Sequence, residues 1–352
     1  MSNVSAYGLV NVHVRTAIGE LLSPETWSKL SRSNDFQTFL QNLSDTAYGS
    51  ITLAIPAENQ NPRFFAYAIR KRIPEKFQVV EKSAPSSAKE LFRRIFLFYD
   101  LNNLKVILRG IRAADSWDKL RYLLAPMGSF ASLPYQAMAG QGSVEGAIEL
   151  TKGTHFYKSL SHAVQRFSQE DSLFPIELLL DLDYWQMVWE SVQNLKGEDK
   201  KDAAVIIGQI LDKYNLIWAG RYFLFHHLQE AEIINYTMGF APRVQDRQIR
   251  QIAGGTDVSE LAESLYPELK GKVDSNLSDA DKLARWEVEL DRHFARRCRQ
   301  FFVGNPFHLG PSLAYLFLLE YEIRDLTLLA EAKTLNVPRE RYMPFLINEI
   351  KA

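Results

Sequence analysis

Three short segments contain residue types that could bind a ligand or support catalysis. His226 and Glu230 stand four positions apart and could hold a metal ion from one helical segment, although a third ligand is missing. Gly254-Gly255-Thr256 has the composition of a phosphate-binding loop, but no Lys-Ser/Thr pair follows it and no strand signal precedes it. A basic cluster beside Phe301-Phe302 could bind phosphate or RNA, and it contains Arg292, Arg296, Arg297 and Arg299.

Each of these segments has a simpler structural interpretation. We expect the histidine and glutamate to occupy helical interior or interface positions, and the glycines to form a turn. Acidic residues directly before the arginines favour a charged helix face or an interface with another protein chain. The sequence therefore predicts no catalytic residue, no cofactor and no bound metal.

A repeated polar pair is the stronger pattern in this chain. In three places an acidic residue stands three positions before an Asn-Leu or Asp-Leu pair, and successive copies are 112 and 110 residues apart. The pairs are Asp100/Asn103, Asp212/Asn215 and Glu322/Asp325. Such regular spacing predicts a repeated structural unit.

The position of these pairs on a helix suggests that they are buried. When each segment is wound at about 100° per residue, the pair falls on the same face as apolar residues. Leu104 and Ile107 share that face with Asp100, for example, whereas Arg109 points away. A buried polar group without a hydrogen bond costs about 1–3 kcal/mol, so each pair needs a partner. Two interpretations remain open: the pairs anchor neighbouring loops, or they line a socket that contacts another protein.

Composition and charge narrow the class of protein. The chain has 352 residues, 46% of them hydrophobic, which is ample for packed cores in several domains. Its net charge of −1 gives no electrostatic reason to expect nucleic acid or an anionic bilayer as a partner. The single cysteine, Cys298, excludes an internal disulfide and fits a reducing, cytoplasmic compartment. No apolar run approaches the roughly 20 residues that span a bilayer, and the first residues lack a signal-peptide core.

Helical periodicity dominates the sequence, and strand signals are scarce. Ser23-Pro24-Glu25 and Asn34-Asp35 each predict the start of a helix. Long helices are predicted over residues 91–112, 202–225 and 311–332. Loops are predicted at 84–88, 139–146, 196–201 and 271–281, where small or charged residues accumulate.

The repeat spacing then divides the chain into helical units of about 110 residues. We predict one unit at 1–90, a second at 91–200 and a third at 201–310. The remaining helices at 311–352 are expected to pack back on the first unit. The fold class predicted from the sequence is all-α.

Several of these segments resemble one family. They are Tyr99-Asp-Leu-Asn-Asn-Leu-Lys-Val-Ile-Leu-Arg109, Thr46-Ala-Tyr48, Glu230-Ala-Glu-Ile-Ile-Asn235 and Leu319-Glu-Tyr-Glu-Ile-Arg-Asp-Leu326 followed by Lys333. Together they resemble the C-type subunits of the archaeal and bacterial V-type (A/V-type) ATPases, whose eukaryotic counterparts are the d-type subunits. The likeness runs from Tyr7 to Leu346 and rests on short helical motifs rather than one signature. Asp325 stands where the other copies have Asn, and Glu331 where they have Arg.

The resemblance implies three similar helical domains in a funnel with pseudo-threefold symmetry. It also implies a non-catalytic rotor component, peripheral on the cytoplasmic face of the membrane, that transmits torque. Its partners would be the central-stalk subunits (D and F type) and the membrane rotor ring, with no small-molecule substrate. A free-standing helical scaffold or adaptor is the alternative. Under either interpretation we expect Asp100, Asn103, Asp212, Asn215, Glu322 and Asp325 to be structural or to line the socket.

Overall fold

The computed structural model describes residues 3–56, 60–170 and 172–348. The outermost residues of the predicted segments 1–90 and 311–352 therefore lie outside the described part. All regular structure within these residues is helical, and none of them forms a β-strand. The predicted all-α class is confirmed.

The helices divide into three groups along the chain. The first contains α1 (Asn3–Gly19), α2 (Pro24–Ser31) and α3 (Phe36–Leu43). The second contains α4 (Gly49–Leu53), α5 (Pro62–Arg70), α6 (Arg72–Ser83), α7 (Ser86–Arg112), α8 (Trp117–Leu120), α9 (Tyr135–Ala139), α10 (Val144–Glu149), α11 (Tyr157–Glu170) and α12 (Phe174–Asn194). The third contains α13 (Gly197–Leu224), α14 (Glu230–Asn235), α15 (Asp246–Ala253), α16 (Val258–Leu265), α17 (Asp279–Gln300), α18 (Gly310–Thr334) and α19 (Arg339–Tyr342).

These helices form two compact units. One unit combines Met1–Ala47 with Val192–Ala352, and the other is Tyr48–Ser191. In the first unit α13, α17 and α18 pack on one another, while α1 and α3 pack on α18. In the second unit α7 packs on α6, α9 and α10. The N-terminal and C-terminal segments of the chain therefore share a core.

Local sequence signals explain where several helices start. Ser23 caps α2 by accepting a hydrogen bond from the Thr26 N–H (3.2 Å), and Asp35 caps α3 through the Thr38 N–H (2.7 Å). Both predicted starts are confirmed. Each cap satisfies a backbone donor that the helix leaves unpaired.

The three long helices are present but begin earlier than predicted. α7 starts at Ser86, directly after Pro85, and α13 starts at Gly197. The predicted loop at 196–201 is therefore wrong, and that at 84–88 is wrong from residue 86 onward. Glu198 and Asp199 lie in the first turn of α13. Acidic side chains stabilise a helix there because its N-terminal end carries a partial positive charge. The loop predicted at 139–146 is correct only between the end of α9 at Ala139 and the start of α10 at Val144. The loop predicted at 271–281 is correct up to the start of α17 at Asp279.

No helix of the described residues is both long enough and apolar enough to cross a bilayer.

Candidate functional site

The first polar pair fastens a loop to α7. Asn103 is 1% exposed; its amide donates to the Ala125 carbonyl (2.9 Å) and accepts from the Ala125 N–H (2.7 Å). Asp100 is equally buried and accepts from the N–H (3.2 Å) and hydroxyl (2.6 Å) of Ser132, and from the hydroxyl of Tyr135. The loop between α8 and α9 is thus held at two points by one turn of helix.

The second pair does the same on α13. Asp212 accepts from the N–H groups of Arg243 (2.8 Å) and Val244 (3.0 Å). The Asn215 amide donates to the carbonyls of Met238 (2.8 Å) and Val244 (2.7 Å), and accepts from the Met238 N–H (2.8 Å). These bonds hold the segment between α14 and α15.

The third pair, on α18, reaches both chain ends. Asp325 accepts from the N–H groups of Ile347 (3.0 Å) and Asn348 (2.7 Å), and from the Asn348 side-chain amide (2.9 Å). Glu322 accepts from the N–H of Leu22 (2.7 Å), just before α2. Glu322 occupies the position that Asp100 and Asp212 hold in the other copies, but it contacts an N-terminal segment rather than a downstream loop.

The register of these contacts is shared by the three copies. Asn103, Asn215 and Asp325 bond to backbone groups 22 or 23 residues downstream. Asp100 and Asp212 bond to backbone groups 31 or 32 residues downstream. The repeat seen in the sequence is therefore also a repeat of tertiary contacts.

Burial dominates the electrostatics of two of these acids, Asp212 and Asp325. It raises the pKa of Asp212 and of Asp325, and the hydrogen bonds from backbone N–H groups only partly oppose the rise. Backbone N–H groups bond to Oδ1 of Asp212 and to both carboxylate oxygens of Asp325. The arrangement is suited to fixing loop backbone, and it offers no exposed nucleophile or base.

Sequence reasoning missed a second repeated feature, in which two ion pairs link a pair of antiparallel helices. Each of these ion pairs is called a rung below. In the unit containing α7, Arg109 pairs with Glu177 on α12 (2.5 and 2.6 Å), and Lys105 pairs with Asp181. Burial raises the pKa of Asp181, and Lys105 opposes that rise.

The unit containing α13 repeats the rungs. Arg221 pairs with Glu287 on α17 (2.6 Å), and Lys213 pairs with Asp291 (2.6 Å), which also accepts from the Tyr321 hydroxyl (2.6 Å). Burial lowers the pKa of Lys213, but Asp291 outweighs it and leaves the pKa above its usual value. The signal was available, because Glu177/Asp181 and Glu287/Asp291 are again 110 residues apart.

All three long helices end on a left-handed residue that is not glycine. Ala114, His227 and Asn336 have φ of 52°, 51° and 50°, and no other non-glycine residue of the described chain has a positive φ. The backbone N–H of the next residue donates to a carbonyl of the preceding helix. That carbonyl lies five residues earlier for Asp115 (2.9 Å) and Val337 (2.9 Å), and six residues earlier for Leu228 (3.2 Å). These ends are a third repeated feature.

Two of the anchored segments border open grooves. The loop held by Asp100 and Asn103 lines a groove of about 650 Å³ with α5, α6 and α8, whose walls include Tyr67, Trp117 and Phe130. The segment after Leu22 lines a groove of about 690 Å³ along α2 and α3. Each groove lies within one unit. Both are large enough to receive part of another chain.

The other candidate residues have structural partners. His226 is exposed in the turn after α13 rather than in a helical interior, and Glu230 starts α14 and pairs with Arg250. No group of three or more His, Cys, Asp or Glu side chains in the described part of the chain could hold a metal ion. Gly254 and Gly255 form the predicted turn, with a φ of 95° at Gly255.

The basic cluster holds the C-terminal segment. Arg292 pairs with Glu289 (2.5 Å) and donates to the carbonyls of Met343 (3.3 Å), Pro344 (3.2 Å) and Leu346 (2.9 Å). Arg299 donates to the side-chain oxygen of Asn348 (2.9 Å). These two guanidinium groups therefore have a structural role, because both bond to the C-terminal segment.

Comparison with known proteins finds similarity to a family of ATP synthase subunits. A family model described as "ATP synthase (C/AC39) subunit" matches residues 10–344. The C-type subunit of the A-type ATP synthase from Methanocaldococcus jannaschii is 21% identical over 352 residues, covering 98% of this chain and 87% of that protein. The proteins of the same name from Methanothermobacter thermautotrophicus and Pyrococcus abyssi are each 23% identical, covering 92% of this chain and 83% and 86% of their own lengths.

Fold and contacts together define an all-helical repeat protein in which buried polar pairs anchor loops. The chain belongs to the ATP synthase (C/AC39) subunit family. The resemblance stated from the sequence is confirmed, and with it membership in a family of rotary ATPase subunits associated with ion transport.

Proposed function

We propose that this chain is the central-rotor coupling component of a V-type or A-type rotary ATPase. It sits on the membrane rotor ring at the cytoplasmic face, receives the foot of the central stalk and transmits torque between the two. It contributes no catalytic group. The proposal rests on family membership and on one structural observation, the ion pairs that link the long helices to their neighbours.

These ion pairs support a mechanical role. α7 is joined to α12, and α13 to α17, by two ion pairs each, and each long helix also holds a loop through buried hydrogen bonds. Close-packed interiors have low compressibility, and cross-links between neighbouring helices oppose sliding. A part that carries torque between a shaft and a ring needs this stiffness and needs wide contact surfaces.

The anchored loops and their grooves are the surfaces that we assign to partners. Hydrogen bonds from the buried polar pairs fix the backbone of these loops. The loops can therefore present a defined shape before a partner binds. Preorganised surfaces bind with a smaller loss of conformational entropy. The six polar-pair residues therefore support partner binding from inside the protein rather than lining the socket with their own side chains.

A binding experiment tests the proposal. The immobilised full chain is offered the central-stalk pair and, separately, the detergent-solubilised rotor ring, at ordinary and high salt. We expect it to retain both partners, with the loss at high salt measuring the electrostatic share of each contact. A folded monomer that retains neither partner would contradict the proposal and favour a free-standing scaffold.

A matched pair of variants examines the groove. Phe130 is 37% exposed and lines the groove beside the loop held by Asp100, whereas Leu150 is 36% exposed and does not line it. Phe130→Ser is expected to weaken retention of one partner, and Leu150→Ser to leave it unchanged. Equal effects of the two substitutions would remove the groove from the contact surface.

A further inference from the structure

A partly buried polar cluster joins three helices at the start of α13. Asp199 accepts hydrogen bonds from the hydroxyl of Tyr7 on α1 (2.5 Å) and from the N–H of Leu309 beside α18 (3.1 Å). One turn further along α13, Asp202 accepts from the Nδ1 atom of His308 (2.5 Å). The side chains of His308 and Asp202 are only 10% and 15% exposed. The cluster therefore fastens α1 to the beginnings of two long helices.

The charges in this cluster are unequal. The imidazole of His308 faces the carboxylates of Asp202 and Glu198 on α13 and the backbone carbonyl of Asn305. Phe301, the residue directly after α17, brings an uncharged ring near His308. The centroids of the two rings are 6.4 Å apart. Glu198 and Asp199 occupy the first turn of α13. A protonated His308 places one positive charge beside this group of acids.

The α1 side of the cluster is a neutral phenol. Burial, together with the hydrogen bond to Asp199, raises the pKa of Tyr7, so its hydroxyl stays a donor at every pH a cell experiences. Histidine is the residue type whose charge changes near neutral pH. The cluster therefore combines a permanent link, Tyr7 to Asp199, with a titratable one, His308 to Asp202.

We propose that His308 and Asp202 form a pH-sensitive clasp that holds α1 against the starts of α13 and α18. With the imidazole protonated, the acids are balanced and the bonds from Tyr7 and Leu309 to Asp199 persist. When the imidazole loses its proton, repulsion among the acids weakens the attachment, and α1 separates from α13 more often. The clasp is a regulatory device that the coupling role does not require.

The direction of the pH effect follows from the hydrogen bond. Asp202 raises the pKa of His308 above its ordinary value of 6.5, against the opposing effect of burial. The stabilisation is therefore complete below the ordinary value, and it is lost as the pH rises through the raised value in the folded protein. Alkaline conditions open the clasp.

Amide hydrogen exchange of the full chain tests this. We expect protection factors along α1, corrected for intrinsic exchange, to fall between about pH 6 and about pH 8.5. The fall should be up to about tenfold for each unit by which the pKa of His308 in the closed state exceeds its pKa in the open state. His308→Asn keeps a neutral donor near Asp202 and should make α1 protection independent of pH. Asp202→Asn removes the partner acid and should abolish the pH dependence in the same way.

Two further variants separate a local clasp from a general effect. Tyr7→Phe should lower α1 protection at both pH values. His162→Asn, which alters an exposed histidine on α11, should behave like the wild type. The proposal would be overturned by α1 protection that does not fall with pH in the wild type. It would also be overturned by a fall that persists unchanged in both His308→Asn and Asp202→Asn.

Discussion

The carboxylate of Glu322 accepts a hydrogen bond of 2.7 Å from the backbone N–H of Leu22, a residue 300 positions away in the chain. In the other two repeats the corresponding acid bonds a loop that follows its own helix. α18 also packs on α1 and α3, and Lys333 donates to the carbonyl of Ser31 (2.8 Å). Packing and hydrogen bonds therefore join α18 to the N-terminal segment of the chain.

Removal of that contact should destabilise the protein. Glu322→Ala leaves the Leu22 N–H without its acceptor, which is expected to lower the free energy of unfolding by about 1–3 kcal/mol. Glu322→Gln keeps an oxygen at the same distance and should cost less. Urea denaturation of the three proteins measures the difference. An alanine variant as stable as the wild type would show that this contact contributes nothing.

Asp212 should give a characteristic dependence of stability on pH. Burial raises its pKa in the folded state above the ordinary value of 3.8, so the ionised folded form is disfavoured. Stability is therefore lost as the pH rises from 3.8 through the raised value. Asp212→Asn keeps an oxygen for the N–H groups of Arg243 and Val244 but carries no charge.

The unfolding free energy of the wild type minus that of Asp212→Asn should consequently decrease as the pH rises across this window, and then stay constant. Denaturation curves at a series of pH values measure it, and a difference that increases with pH would contradict the assignment. Replacing both Asp212 and Asn215 by alanine should lower the melting temperature or impair assembly. Unchanged behaviour in both assays would remove their importance.

The left-handed end of α7 offers a stabilising substitution. Ala114 has a φ of 52°, which costs an L-residue about 1–2 kcal/mol and glycine much less. Ala114→Gly should therefore raise the free energy of unfolding by about 0.5–1 kcal/mol, after the loss from greater freedom of the unfolded chain. Ala113 is a matched control, because its φ is −81° and glycine there should destabilise. Equal effects at the two positions would argue against strain at Ala114.

The two rungs between α13 and α17 should differ in strength. The side chains of Lys213 and Asp291 are 13% and 7% exposed, whereas those of Arg221 and Glu287 are 45% and 32% exposed. Asp291→Asn leaves a buried ammonium without its counterion and should cost about 3–5 kcal/mol. Glu287→Gln should cost under about 1 kcal/mol. Thermal unfolding of both variants tests the order, and a larger loss from Glu287→Gln would reverse it.

Local signals explain what could be predicted from the sequence. Ser23 and Asp35 predicted the starts of two helices, because a capping side chain acts on the backbone next to it. The burial of the polar pairs was predicted because helical winding fixes which residues share a face. Val205 shows the limit: helical winding at about 100° per residue places it on the same face as Asp212, but it is 39% exposed. A stripe indicates which face is buried, not how far along the helix burial extends.

The rest depends on contacts distant in sequence. The partners of the polar pairs are mostly backbone groups, such as the N–H of Val244 or Leu22, and nearly any residue type can supply these. The start of α13 was missed because its first turn is held by Tyr7 and Leu309, which contact Asp199. Neither the loops that each pair would hold nor the contact between Glu322 and Leu22 could be inferred from residue type.

The proposed role of this chain is to couple the central stalk to the rotor ring. The most direct test uses the assembled ATPase in sealed vesicles, stripped of this chain and then supplied again with the wild-type chain. We expect the stripped enzyme to hydrolyse ATP without moving ions, and the wild-type chain to restore ATP-driven ion transport. Full ion transport in vesicles that lack the chain would contradict it.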